Sequence, residues 1–203
     1  MKLYISSASP FARKVRLVVH EAGLASRVEE VPTAVSPLKP NADLAKANPL
    51  MKLPTLVTDE GYALFDSPVI CEYLDSLNAG RKLFPAAGAA RWSALRQQAV
   101  ADGILDAAIG VRYQTALAPK ELQWTQWQDG QRAKWKQSLD FLEADASALA
   151  GEPTIGSLSV AATLAWLDFR YGADDWRKGR PALAGWLAVF GQRQSMLATL
   201  PTA

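Results

Sequence analysis

The composition of the chain changes near residue 90. Eight of its twelve prolines precede that position, whereas all seven tryptophans follow it. Proline interrupts helices and central strands, so its concentration indicates short elements joined by frequent turns. Tryptophan carries a large apolar ring system that packing usually buries. The pattern therefore favours two architectures in one chain, and 203 residues suffice for two small domains.

The first 77 residues alternate strand signals with helix signals. A strand, a helix and a second strand come first, an order that requires a parallel pair with a right-handed crossover. Two more β-rich segments flank a turn at Gly61, which predicts an antiparallel hairpin. Together these signals predict a thioredoxin-like sheet. Strands are expected at residues 2–5, 27–31, 55–58 and 62–65, with helices at residues 10–22, 42–47 and from Ser67 onward.

The remaining residues show helical spacing only. A linker is expected at residues 78–88, which contain Gly80, Pro85 and Gly88. Beyond it, apolar side chains recur every three or four residues, which is typical of packed helices. The predicted architecture is thus a thioredoxin-like domain at residues 1–77 and an all-helical domain at residues 89–203. Its main helices are expected at residues 90–118, 122–150, 157–171 and 181–190.

The turn before the first helix carries a candidate functional residue. Ser9 stands at the expected N-cap and Pro10 at the first helical position, where a missing N–H costs nothing. By itself this is ordinary capping chemistry. A helix N-terminus also presents unpaired N–H groups and about half a positive charge, which stabilise an anion. The Ser9 hydroxyl adds a donor, so Ser9 is a candidate for holding an anionic ligand atom.

Two later segments offer binding groups of other kinds. X-Pro bonds are mostly trans, but a cis bond at Leu53-Pro54 would let the backbone of Leu53 pair with an extended peptide. Asp66 could accept a hydrogen bond from an ammonium group. Ser67, expected to cap the next helix with Pro68 at its first position, could help to bind a carboxylate. A γ-glutamyl group carries both of these charges on one carbon.

Composition excludes several other functions. The net charge of +2 comes from interspersed charges of both signs, which argues against a nucleic-acid surface. No segment approaches the roughly 20 apolar residues of a membrane span, and no apolar signal core is present, so a cytoplasmic protein is expected. A single cysteine, Cys71, and a single histidine, His20, argue against a disulfide, a metal site and a serine hydrolase. Cys71 is expected to be a buried apolar residue, and His20 a partly exposed helix residue.

Three segments, in their order and spacing, resemble the N-terminal domain of glutathione S-transferases. They are Ser9-Pro-Phe-Ala-Arg13, Asn48-Pro-Leu-Met-Lys-Leu-Pro54 and Leu64-Phe-Asp66-Ser67-Pro68. The resemblance extends over the full chain, because that family joins a thioredoxin-like half to an all-helical half. Ser9 matches the serine-type pattern of theta- or zeta-like classes, whereas omega- or beta-like classes carry cysteine there. The absence of a thiol near that position also argues against a glutaredoxin-like reductase.

The resemblance implies roles for particular residues. Ser9 would donate to the glutathione thiolate, the backbone of Leu53 before a cis Pro54 would pair with the cysteinyl unit, and Asp66 and Ser67 would hold the γ-glutamyl group. Lys39 is the candidate for the glycyl carboxylate, whereas Lys52 is expected to be a solvated surface charge. No metal is implied. A hydrophobic electrophile is the implied second substrate, and family members are commonly homodimers. Candidate second-substrate residues are Phe11, Ile104, Ala108 and Tyr113, for which ordinary helix packing is an equal alternative.

One position departs from the family's pattern. The core helix of the second domain often begins with Ser/Thr-x-x-Asp, but this chain has Ser157-Leu-Ser-Val160. Val160 cannot accept a hydrogen bond as a carboxylate would, so weaker capping is expected there. The motifs also leave a second class of function open, in which the fold is kept as a glutathione-binding or protein-interaction module without transferase activity.

Overall fold

A computed structural model describes residues 1–202, and their packing divides into two compact units. The first unit contains residues 1–91 together with the residues from 192 onward, and the second contains residues 92–191. From the sequence, we propose domains at residues 1–77 and 89–203 with a linker at residues 78–88. The compact units differ from these boundaries because residues 78–91 and the residues after 191 pack with the first unit.

The first unit is built on four strands, β1 (Lys2–Ile5), β2 (Glu29–Pro32), β3 (Thr55–Val57) and β4 (Ala63–Leu64), which form one sheet in the order β2-β1-β3-β4. Strand β1 pairs in parallel with β2 and antiparallel with β3, and β3 pairs antiparallel with β4. This is the thioredoxin-like arrangement that the sequence predicts, with β2 two residues later than expected and β4 shorter.

The helices of the first unit cover the sheet with apolar side chains. Helix α1 (Pro10–Glu21) packs on α3 (Ser67–Ser76), and both bury branched side chains such as Val15 and Ile70 completely. Cys71 is buried in α3, as expected for a small apolar residue. The short α2 (Ala42–Ala45) is capped by the Asn41 side chain, which accepts from the backbone N–H of Leu44.

The residues from 192 onward contain a helix that the sequence signals did not predict. Helix α8 (Gln194–Ala198) packs against α1 within the first unit. Arg193 donates to both carboxylate oxygens of Glu21, and Arg13 donates to the carbonyl of Met196. These bonds join residues more than 170 positions apart, and no local sequence pattern reports such pairs.

The second unit consists of helices, and the main ones are α4 (Gly88–Ala116), α5 (Thr125–Ala144), α6 (Ile155–Tyr171) and α7 (Pro181–Phe190). Between α5 and α6, residues Ala146–Leu149 form a 3₁₀ turn, because helical geometry ends at Asp145; the single helix expected at 122–150 is therefore shorter. Helix α7 obtains its N-terminal hydrogen bonds from Glu143 of α5, whose carboxylate accepts from the N–H groups of Ala182 and Leu183.

The central helix α6 is capped better than the sequence indicated. It begins at Ile155, two residues earlier than expected, with Thr154 as its N-cap. The Thr154 hydroxyl accepts from the N–H of Ser157, and the Ser157 hydroxyl accepts from the N–H of Thr154. Ser157 thus supplies the third-position acceptor of a capping box, so the expected loss of capping through Val160 is wrong. Within residues 1–202, no helix combines the length and apolar character needed to cross a membrane.

Candidate active site

The strand register brings the three candidate segments to one edge of the sheet. Tyr4, near the end of β1, lies opposite Thr55 at the start of β3. Leu56, the next residue of β3, lies opposite Leu64 at the end of β4. The turn that follows β1, the residues that precede β3 and the residues that follow β4 therefore meet at the same edge. These are the segments that carry Ser9, Leu53-Pro54 and Asp66-Ser67.

Ser9 is the N-cap of α1, as expected. Its backbone is extended and its hydroxyl oxygen accepts from the N–H of Ala12 at 3.2 Å. The N–H of Ser9 donates to the carbonyl of Ser6 at 3.0 Å, which closes the turn before the helix. Among residues 1–202 the hydroxyl proton of Ser9 has no acceptor, and the N–H of Phe11 has none either. The half-buried Ser9 thus keeps one donor available at the positive end of α1.

The peptide bond between Leu53 and Pro54 is cis. Neither the N–H nor the C=O of Leu53 has a hydrogen-bond partner within the described chain. The loop before it is held by Asn48, the first residue of the Asn48–Pro54 segment. The buried Asn48 amide donates to the carbonyl of Lys52 at 3.1 Å and to the Thr55 hydroxyl at 2.9 Å. Its oxygen accepts from the N–H of Leu50, so one side chain fixes both ends of the loop.

The start of α3 differs by one residue from the sequence expectation. The N–H of Ile70 donates to the carbonyl of Asp66 at 3.1 Å, so Asp66 is the N-cap and Ser67 the first helical residue. Pro68 therefore occupies the second position. The Asp66 carboxylate is exposed and makes no bond to the helix it caps. No partner in residues 1–202 engages this carboxylate, the Ser67 hydroxyl or the N–H of Val69, so donors and an acceptor are available side by side.

The two candidate lysines are exposed. Lys39 lies in the loop after β2, where its N–H donates to the carbonyl of Ser36, and Lys52 precedes Leu53. Strand β2 ends beside β1, because Pro32 lies opposite Ile5. The loop with Lys39 therefore starts at the same edge of the sheet as the other candidate segments.

The candidate second-substrate residues lie in different environments. Phe11 is half-buried in the first turn of α1, and the Lys14 ammonium lies 5.7 Å from the centre of its ring. Ile104 and Ala108, in α4, are completely buried, which fits the packing alternative for both. The carbonyl of Ala108 accepts from the Tyr171 hydroxyl at 2.7 Å. Tyr113 is 45% exposed, so it alone of the three in α4 offers a side-chain surface to a ligand in this structure.

Comparison with known proteins identifies a family. The profile of the glutathione S-transferase N-terminal domain matches residues 8–77, and that of the glutathione S-transferase C-terminal domain matches residues 125–188. Among curated proteins, the uncharacterized GST-like protein YibF of Escherichia coli (strain K12) is 33% identical over 208 residues. That alignment covers 99% of this chain and 98% of YibF.

Solved structures agree over the whole chain. A glutathione transferase family member from Pseudomonas fluorescens Pf-5 with bound glutathione superposes with a TM-score of 0.97 at 45% identity, covering 100% of this chain and 99% of that one. A second structure from that organism, with bound S-(propanoic acid)-glutathione, has a TM-score of 0.92 at 43% identity and covers both chains completely. A glutathione S-transferase from Methylobacillus flagellatus KT with glutathione bound has a TM-score of 0.88 at 31% identity, covering 99% of each chain.

Proposed function

Because the chain belongs to the glutathione S-transferase family, we propose that it is a glutathione transferase in which Ser9 stabilises the glutathione thiolate. The observation that carries this proposal is the unpaired hydroxyl proton of Ser9, placed at a helix N-terminus on the same sheet edge as Leu53 and Asp66. Similar proteins from P. fluorescens hold glutathione and a glutathione with a substituent on sulfur, which supports binding and conjugation by this fold.

Glutathione fits the unpaired groups of the site. An extended peptide can exchange backbone hydrogen bonds with the N–H and C=O of Leu53. The Asp66 carboxylate suits the ammonium of the γ-glutamyl unit, and the Ser67 hydroxyl with the N-terminus of α3 suits its carboxylate. Lys39 is proposed for the glycyl carboxylate. Each of these groups is available because no residue of the described chain forms a hydrogen bond with it.

The proposed chemistry is nucleophilic attack by the thiolate on an electrophilic carbon. The new C–S bond forms as a leaving group departs with its bonding electron pair or, in an addition, as the π pair of a double bond moves to the neighbouring atom, which is then protonated. A thiol of the cysteine type has a pKa near 8.5, so only a few per cent is thiolate at pH 7. A hydrogen bond to a charged group contributes ~1.5–3 kcal/mol and a helix terminus ~0.3–1 kcal/mol. Partly offset by thiolate desolvation, these would lower the pKa by roughly one to two pH units. Ser9 then acts as a donor to sulfur and neither as a base nor as a nucleophile.

The experiment is a titration of bound glutathione, followed by thiolate absorbance in the ultraviolet, with wild type and Ser9→Ala. We expect the wild-type complex to titrate below about pH 7.5 and Ser9→Ala to move the apparent pKa upward by about one pH unit. Ser26→Ala, which removes an exposed hydroxyl in the 3₁₀ turn Ala25–Arg27, is the matched control and should titrate like wild type.

Other outcomes separate the alternative functions. Glutathione that binds with an unshifted thiol would contradict the role of Ser9 and favour the binding or interaction module. If no glutathione binds, both proposals fail. A shifted thiol leaves the electrophile to be identified, because conjugation, isomerisation, peroxide reduction and dehalogenation all begin from the thiolate.

The remaining proposals rest on the family. The second substrate is proposed to be a hydrophobic electrophile, with Phe11 and Tyr113 as candidate contact residues, whereas Ile104 and Ala108 are buried packing residues of α4. A cytoplasmic location, a role in detoxification and a homodimeric state follow the same analogy.

A further inference from the structure

Residues 192–202, here called the return segment, contact α1 and the turn before it at three places. At the last residue of α1, Glu21 accepts from Arg193 at 2.9 and 2.8 Å and from the Ser195 hydroxyl at 2.5 Å. In the middle, Arg13 donates to the return segment. Before the first turn, Ser7 contacts Thr202. The return segment therefore runs antiparallel to α1 along its full length and reaches the turn that carries Ser9.

The middle contact involves a buried cation that pairs with no carboxylate among residues 1–202. Arg13 is only 3% exposed; its Nη2 donates to the carbonyl of Met196 at 3.2 Å and its Nε to the Thr199 hydroxyl at 3.4 Å. Nη1 has no acceptor in the described part of the chain. Burial, together with the charge of Arg16, lowers the pKa of Arg13 to about 10, so it remains a cation at neutral pH. Because the N–H of Arg13 donates to the carbonyl of Ser9, this residue links the return segment to the N-cap.

The third contact fixes the turn itself. The Ser7 hydroxyl accepts from the Thr202 hydroxyl at 2.7 Å and donates to the Thr202 carbonyl at 3.3 Å. Ser7 lies inside the turn that the Ser9 N–H closes on the Ser6 carbonyl. A displacement of Ser7 would therefore rotate the backbone that presents the Ser9 hydroxyl. Hydrogen bonds weaken steeply with poor alignment, so a small rotation matters to a donor that must face sulfur.

We propose that Ser7 and Thr202 are positioning residues that orient Ser9 toward the glutathione sulfur, an inference that rests on the proposed function. Neither residue is required to touch glutathione. Their effect passes through the turn, so it acts on the thiolate and leaves the γ-glutamyl contacts at α3 unchanged. This separation of thiol activation from ligand binding distinguishes a positioning role from a general loss of structure.

The test compares Ser7→Ala and Thr202→Val with wild type by the same thiolate titration and by calorimetric binding of glutathione at pH 5.5. We expect each variant to raise the apparent pKa of the bound thiol by about half a pH unit. At pH values well below that pKa, this shift is roughly a threefold loss of thiolate. The dissociation constant at pH 5.5, where the thiol is protonated, should change less than about twofold. Thr202→Ser keeps the hydroxyl and should restore the wild-type titration.

Ser138→Ala is the matched control, because it removes an exposed hydrogen bond from the Ser138 hydroxyl to the Lys134 carbonyl within α5 of the second unit. The double variant Ser7→Ala/Thr202→Val should titrate like either single variant, since both remove the same pair. Single variants that titrate like wild type while Ser9→Ala shifts the thiol would overturn the positioning role alone. If Ser9→Ala does not shift the thiol, or glutathione does not bind, the proposed function fails and this inference fails with it.

Discussion

At the scale of single residues, Asn48 determines the shape of the loop that presents Leu53. Its side chain forms three hydrogen bonds that join Leu50, Lys52 and Thr55, and it is 1% exposed. Removal of such a buried amide leaves backbone groups without hydrogen-bond partners. Each group that water cannot reach then lowers the free energy of unfolding by about 1–3 kcal/mol. The loop would then sample conformations in which the Leu53 backbone no longer faces a peptide ligand.

We therefore expect Asn48→Ala to raise the dissociation constant for glutathione by about tenfold, measured by calorimetry. Asn78→Ala is the control: Asn78 is also buried, at 6% exposure, and bonds Gly80 and Arg81, but it follows the far end of α3. Both variants should lose thermal stability, and only Asn48→Ala should lose affinity. Equal affinities for the two variants would show that the Asn48 loop does not contact the ligand.

At the scale of elements, helix starts show what a sequence can predict and what it cannot. The sequence correctly predicts Ser9 as the N-cap of α1, because the apolar spacing of the helix and the position of Pro10 indicate the same boundary. At α3 the same Ser-Pro signal is offset by one residue, since the carbonyl of Asp66 accepts the first helical bond. Serine and aspartate both cap helices well, so composition could not decide between Asp66 and Ser67.

The elements that were missed depend on distant partners. Helix α8 has five residues and gains its stability from Arg13 and Glu21 of α1, far away in sequence. Short helices are marginal by themselves, so no local propensity marks them. The sheet, by contrast, could be predicted because each strand carries its own β-rich pattern and turn. The edge where the candidate residues meet then follows from the strand order.

Glu21 provides a pH-dependent test of how the return segment is attached to α1. Burial raises the pKa of its carboxyl, but hydrogen bonds from Arg193 and Ser195 and the charge of Arg193 outweigh burial, so the pKa lies below its ordinary value. A carboxyl with a lowered pKa stabilises the folded state fully above its unfolded pKa of 4.5, and that stabilisation is lost as pH falls through the lower folded value.

Glu21→Gln should therefore lower the melting temperature by a few degrees at pH 7, and its difference from wild type should shrink as the pH falls below about 4.5. The measurement is thermal unfolding followed by circular dichroism between pH 7 and pH 3.5. Glu152→Gln, at an exposed position in the second unit, should follow the wild-type curve throughout. If the difference in melting temperature between Glu21→Gln and wild type stays constant with pH, an ionised Glu21 does not hold Arg193.

At the scale of the whole molecule, the homodimer proposed by analogy with the family can be tested by mass. One chain has a mass of 22.0 kDa, so light scattering at micromolar concentration should give twice that value for a homodimer. The mass should remain the same for Ser9→Ala, whose side chain lies at the proposed thiol site. A mass of one chain across the concentration range would remove the dimer proposal without affecting the proposals for Ser9, Leu53 and Asp66.

The first unit is discontinuous in sequence, because residues 92–191 separate α1 from the return segment. During translation, the ribosome therefore adds the whole second unit before it makes the residues that bond Arg13 and Glu21. At about 5–20 residues per second this interval lasts roughly 5–20 s, long enough for helices and hairpins of the nascent chain to form before those residues are made. The turn proposed to orient the thiol begins at Ser6 in the first unit, yet its partner Thr202 is added only after the whole second unit. Of the two units, the one whose synthesis starts earlier is thus the later to be completed.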